Sequence, residues 1–300
     1  MTRRVFVGLN TASFQHPFDQ KSLVALNKMP GLPLLLKKLN EYGIDRLLRM
    51  QIIGGEFRVT SQNFPKLHDA FTESCQILDL TPKPELYLFR GTGHIQTNAV
   101  GVEKPMVSVN LEAMEWYSQD ELLFAFGYEI SRIKGKYIAY QQMANVIPLL
   151  KNIINSTTFG LGGLAAGGIE VALYNWMIMS RFTGDRAGLL ACQDINVAIT
   201  ALMKLAGLPT EYLNADTIAD FQAQAREFST ITLDNLDQVT KIFSFMEYRF
   251  PWAVMRTSEL LKWVDSGEYE KLMQAENIEP TADSAENPAD SEDWQFMTSW

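Results

Sequence analysis

Tyr128, Glu129 and Arg132 sit in LLFAFGYEISRIKGKYIAY, residues 122 to 140, the stretch whose side chains and spacing come nearest to chemistry. A carboxylate on a helix can act as a general base. An arginine three residues later sits one turn above it, where the ordinary outcome is an ion pair. Tyr128, Ser131, Arg132 and Gly135 share one face of such a helix. The three histidines, His16, His68 and His94, fall elsewhere in the chain, and Cys75 and Cys192 lie far apart in apolar contexts that read as buried free thiols. GLGGLA, 160 to 165, fits a glycine-rich nucleotide fingerprint in letters only. No alternating strand precedes it and no acid follows about 20 residues later, so nucleotide binding is not expected.

These groups must be positioned by a chain of 300 residues with 47% apolar composition, enough for a sizeable core. The net charge of −9 is local. Residues 265 to 300 hold ten acids against the single base Lys271, and residues 1 to 264 carry 25 of each sign. A balanced body with an acidic tail has no basic face, which argues against nucleic-acid binding. The apolar patch after Arg3 and Arg4 is shorter than the roughly 7 to 15 residues of a secretory core. With two unpaired cysteines this reads as a cytoplasmic protein.

Apolar spacing predicts helices over 21 to 53, interrupted near Pro30 to Pro33, and over 63 to 80, with Asn63 as N-cap. Three short alternating runs, ELYLFRG (85 to 91), TNAVGV (97 to 102) and PMVSVN (105 to 110), predict a small sheet. From 119 the pattern is helical. Ser118 and Glu121 form a capping box ahead of the Tyr128 helix, long helices follow near 138 to 155 and 167 to 190, and Asp194 opens another over 194 to 207. Further helices are expected over about 216 to 247 and from Pro251 to Met273. Residues 274 to 300 are acidic, polar and proline-containing, and read as a disordered tail ending in Trp294, Phe296 and Trp300. The segment 153 to 169 carries small residues including Gly163 and Gly167. It is a candidate for peripheral membrane contact, but is too short to span a bilayer.

The order HPFD (16 to 19), a sheet containing TNAVG, the helix DELLFAFGYEISRIKGKY and the stretch SRFTGDRAGLLACQD resembles the soluble-type members of the HtpX and CAAX-prenyl-endopeptidase family of zinc metallopeptidases, over roughly residues 10 to 272. The resemblance implies an α+β, mostly helical, zincin-like fold, with a peptidase-like domain over 1 to 273. In that family the helix carries His-Glu-x-x-His and a later helix supplies a glutamate, so that three ligands hold zinc and the first helix's Glu deprotonates a bound water. Carried over by position, the ligand sites are Tyr128, Arg132 and Arg181, the base is Glu129, and Asp185 of GDRAG is the outer-sphere acid. Arginine offers no lone pair and stays charged. No zinc and no other cofactor is therefore expected.

The implied function is a pseudo-peptidase that binds or scaffolds another protein or peptide; the alternative is an active hydrolase using a non-standard site. Asn98 and Ala99 occupy the edge strand that pairs with substrate backbone in the family, a mode of binding that needs no metal. Trp294, Phe296 and Trp300 could dock on a groove or a partner. Arg181 and Arg132 are expected to approach Glu129, with Asp185 as a second acceptor. Phe250, Pro251 and Arg256 read as part of a C-terminal packing helix. Deleting 274 to 300 should leave the melting temperature nearly unchanged while weakening a protein contact; a large loss of stability would instead mean that the terminal tryptophans pack into the body.

Overall fold

In the computed structural model, residues 3–154, 163–230 and 252–275 are described. The aromatic terminus, most of the acidic tail, the centre of the segment 153 to 169 and the stretch 231 to 251 lie outside them. The described chain is mostly helical, with one small sheet, as the α+β reading expects. Its helices are α1 (Pro17–Asn27), α2 (Leu32–Glu41), α3 (Ile44–Gly55), α4 (Pro65–Ile77), α5 (Leu111–Trp116), α6 (Gln119–Lys134), α7 (Ile138–Ile154), α8 (Gly163–Cys192), α9 (Ile195–Leu205), α10 (Ala215–Thr230), α11 (Ala253–Asp265) and α12 (Glu268–Gln274).

The sheet has four strands in the order β1-β2-β4-β3, where β1 is Phe57–Arg58, β2 Glu85–Phe89, β3 Thr97–Val100 and β4 Met106–Asn110. β2 and β4 run parallel, and β3 pairs antiparallel with β4 in the register Thr97↔Val109, Asn98↔Ser108, Ala99↔Val107. The sequence pattern marks three of these strands. The two-residue β1 is too short to show alternation. Asn63 does not cap α4. Its side-chain oxygen accepts from the Thr60 amide and its amide donates to the Arg58 carbonyl, closing the turn before the helix, and Phe64 takes the cap position.

The central packing is α6 on α8, and the sequence permits it through glycine. A Cβ at Gly127 would lie 2.7 Å from both the Ala187 carbonyl oxygen and the Ala191 methyl, and one at Gly188 would lie 2.6 Å from the Phe124 ring. A Cβ at Gly184 would collide with the Tyr128 ring. The two backbones therefore approach only because these positions lack side chains. Ser118 and Glu121 form both hydrogen bonds of the capping box and fix where α6 begins. Glu121 also takes an ion pair from the buried Lys204 of α9, at 2.6 Å.

HPFD is the hinge of a second polar core. His16 caps α1 by accepting the Phe18 amide at Nδ1, so its proton sits on Nε2, facing Glu259 of α11 at 3.1 Å. Asp19, fully buried, accepts from Thr183 and Trp176 of α8 and Tyr137 at the entry to α7. Trp176 meets Tyr137 and Tyr140 edge-on at 5.4 and 5.5 Å, filling the space between α1, α7 and α8.

Burial outweighs these hydrogen bonds and pushes the Asp19 carboxyl up to about 6. The folded protein thus holds this proton more tightly than the unfolded chain. Stability from Asp19 is present below the unfolded value near 4 and is lost as pH rises through 6, by on the order of 3 kcal/mol. Asp19→Asn, whatever its absolute stability, should flatten the fall in unfolding free energy between pH 4 and 7 measured by urea titration; an unchanged slope would assign that titration to other groups.

Candidate functional site

The residues singled out in the sequence converge where α6, α8, α11 and the edge strand β3 meet. α6 presents Tyr128, Glu129 and Arg132, α8 presents Arg181 and Asp185, and α11 brings in Arg256. Glu129 is almost wholly buried and Asp185 equally so. A carboxylate in such surroundings is costly unless it is paired or hydrogen-bonded.

Each acid meets its own base. Asp185 receives Arg256 in a two-point fork, Nε to one oxygen at 2.9 Å and a terminal nitrogen to the other at 2.6 Å. Burial disfavours the charge on Arg256, but the field and hydrogen bonds of Asp185 outweigh it and raise the guanidinium above its ordinary value. Burial pushes the Asp185 carboxyl up and Arg256 opposes this only in part; the fork to both oxygens is nevertheless the geometry of a charged pair.

Glu129 accepts a 2.6 Å hydrogen bond from the Thr97 hydroxyl on β3, and its second oxygen lies 3.6 Å from Arg132 Nε with no hydrogen bond of its own. Arg132 also donates to the Tyr128 hydroxyl at 2.8 Å. The ring of Tyr128 is in range of two guanidinium groups, Arg132 at 4.9 Å and Arg256 at 5.1 Å, so one aromatic face system ties α6 to α11.

Arg181 stands in the field of Tyr128, Arg132, Arg256 and Asp185. Its guanidinium is pushed down to about 10, first by burial and further by the like charges of Arg256 and Arg132, while Tyr128 and Asp185 act in the opposite sense. The carboxylate of Glu129 is paired by Arg132, and Asp185 is answered by Arg256. Sequence reasoning placed Arg256 in a packing helix and missed its role. The available signal was periodic: Ala253, Arg256, Leu260 and Trp263 recur at buried helical spacing, and an arginine in that series needs a buried acid.

Asn98 and Ala99 lie on β3, which ends the sheet at the side facing α6 and α7. The Asn98 side chain accepts from Gln141 of α7 at 3.2 Å, and Ala99 packs in the core. Thr97, one residue earlier, is the strand's direct contact with the site.

The donor set does not suit zinc. Tyr128 is a phenol already engaged by Arg132, and two guanidiniums supply positive charge and no lone pair. Among the described residues there is no group of three or more His, Cys, Asp or Glu side chains close enough to share a metal ion. His16 is committed to Glu259, and His68 and His94 are partnered by Asp69 and Gln96 outside the site.

Removing one partner of a fully desolvated pair leaves the other charge stranded. Asp185→Asn should cost about 3 to 5 kcal/mol in urea unfolding. Glu129→Gln keeps an acceptor for Thr97 and loses the longer ionic contact to Arg132, so it should cost about 1 to 2 kcal/mol. The reverse ranking, or a neutral Asp185→Asn, would show that the pairs do not carry the helix contacts.

The chain is 27% identical over 281 residues to the plastoglobule-localized metallopeptidase 48, chloroplastic, of Arabidopsis thaliana, a match covering 92% of this chain and 79% of that protein. It is 28% identical over 177 residues to protease HtpX homolog 2 of Methanosarcina acetivorans and 28% over 178 residues to its counterpart in Methanosarcina mazei. Those two matches span 51% and 50% of this chain and 59% and 58% of the archaeal proteins. No family model matches, and no solved structure matches. These similarities support a relationship between this chain and the metallopeptidases.

Proposed function

We propose that this chain is a metallopeptidase-like protein that does not hydrolyse peptides through zinc and instead binds a protein or peptide segment. The observation that carries this reading is the chemistry at the three positions where the family resemblance assigns ligands. Tyr128, Arg132 and Arg181 supply one phenol and two partly buried guanidiniums, and Arg132 is tied to Tyr128 and Glu129. A dication entering there would meet like charge and displace an ion pair. Glu129, the position of the general base, is held by Thr97 and Arg132 within the helix contacts.

Binding is assigned to β3. Its inner side is paired to β4, and no strand follows it on the other side among the described residues. An extended peptide adding to that edge would use backbone hydrogen bonds and require no metal. Thr97, Asn98 and Ala99 would lie under it, with Asn98 steadied by Gln141.

The purified chain should contain no stoichiometric zinc by elemental analysis and show no chelator-sensitive cleavage of casein. Amides of residues 97 to 100 should gain hydrogen-exchange protection when an extended peptide ligand is bound. One zinc per chain that is lost on substitution of Tyr128 would overturn the reading, as would chelator-sensitive turnover.

A further inference from the structure

α3 faces outward with the wrong side for a helix that ends its life in water. Of its twelve residues only Ile52 is buried, while Leu47, Met50 and Ile53 are 57%, 58% and 51% exposed, and Phe57 just beyond the helix is 70% exposed. Arg46, Met50 and Ile53 follow one another at spacings of four and three along α3, so they share one face, with Leu47 along its flank; Phe57 lies past the helix end, in β1. Isolated exposed apolar residues are ordinary; a continuous stripe on one helix is not.

The charges of the segment are sorted. Its two acids turn toward the body: Asp45 accepts the Val102 amide and the Gln142 side chain, both at 2.9 Å, and Glu56 is half-buried beside Ser108. The exposed Arg46 is left as the charge on the outward stripe. In a chain of net charge −9, α3 thus turns apolar side chains and a cation outward while its own acid, Asp45, is engaged on the body.

We propose that the outward face of α3 is a docking surface for a lipid layer with anionic headgroups, lying in the plane of the interface with Leu47, Met50, Ile53 and Phe57 inserted and Arg46 at headgroup level. An interfacial helix needs only an apolar face and matching charge. A second copy of the chain fits less well. A patch of four side chains falls short of the ~800 Å² per partner of a stable interface. No helix among the described residues is long and apolar enough to cross a membrane, so contact through this face is parallel to the surface.

The test is flotation of the full chain with phosphatidylcholine vesicles, with and without phosphatidylserine. Binding should require phosphatidylserine and weaken with salt. The double substitution Met50→Asp with Ile53→Asp should reduce it at least about tenfold, and Arg46→Gln should reduce it by a smaller factor, with melting temperatures near that of the parent because these side chains contact little of the body. Absence of binding, or binding equal in the double variant, would overturn the proposal, the latter by assigning membrane contact to another segment. So would self-association in gel filtration that the same double variant abolishes, which would make the face a contact between copies.

Discussion

The fork between Asp185 and Arg256 is the constraint on which the arrangement of the long helices depends. Both groups are withdrawn from water. A guanidinium that α11 places within hydrogen-bond reach is the main group favouring the charged carboxylate on α8. The relative position of these helices is thereby set by two-point hydrogen-bond geometry as well as by apolar packing.

Around that pair the site is built in layers. Glycines at 127, 184 and 188 let α6 lie against α8, and the space opened by Gly184 is filled by the ring of Tyr128. That ring is then bracketed by Arg132 and Arg256, and Arg132 reaches Glu129, which in turn holds Thr97 of the sheet edge. Positive charge thus ties the helices together, as a metal ion could, yet guanidinium groups offer no open coordination position at which water could be activated. Cohesion and catalysis are separable properties of the same location.

Much of the local structure was legible. The capping box at Ser118 and Glu121, the Asp194 cap and three alternating strands are short-range signals, and each stands where its pattern places it. The convergence of residues 128 to 132 with 181 to 185 followed from family resemblance rather than from any periodicity. What could not be read was long-range partner choice. Arg256 lies 71 residues from Asp185, Lys204 lies 83 from Glu121, and His16 lies 243 from Glu259. Nothing local distinguishes a charged residue that will find a buried partner from one that will face water, except its occupation of an apolar helical position. Asn63 shows the converse failure: a residue with good capping chemistry found a better use in the preceding turn.

The account stands most directly on the coupling between α8 and α11. A double-mutant cycle with Asp185→Asn, Arg256→Gln and the two combined, followed by urea unfolding, measures that coupling apart from the cost of each substitution. A buried, two-point ion pair predicts an interaction energy of at least about 2 kcal/mol, with the double variant more stable than the sum of the singles implies. An interaction energy below about 0.5 kcal/mol, the value of independent sites, would contradict the claim that buried charge pairing holds these helices together.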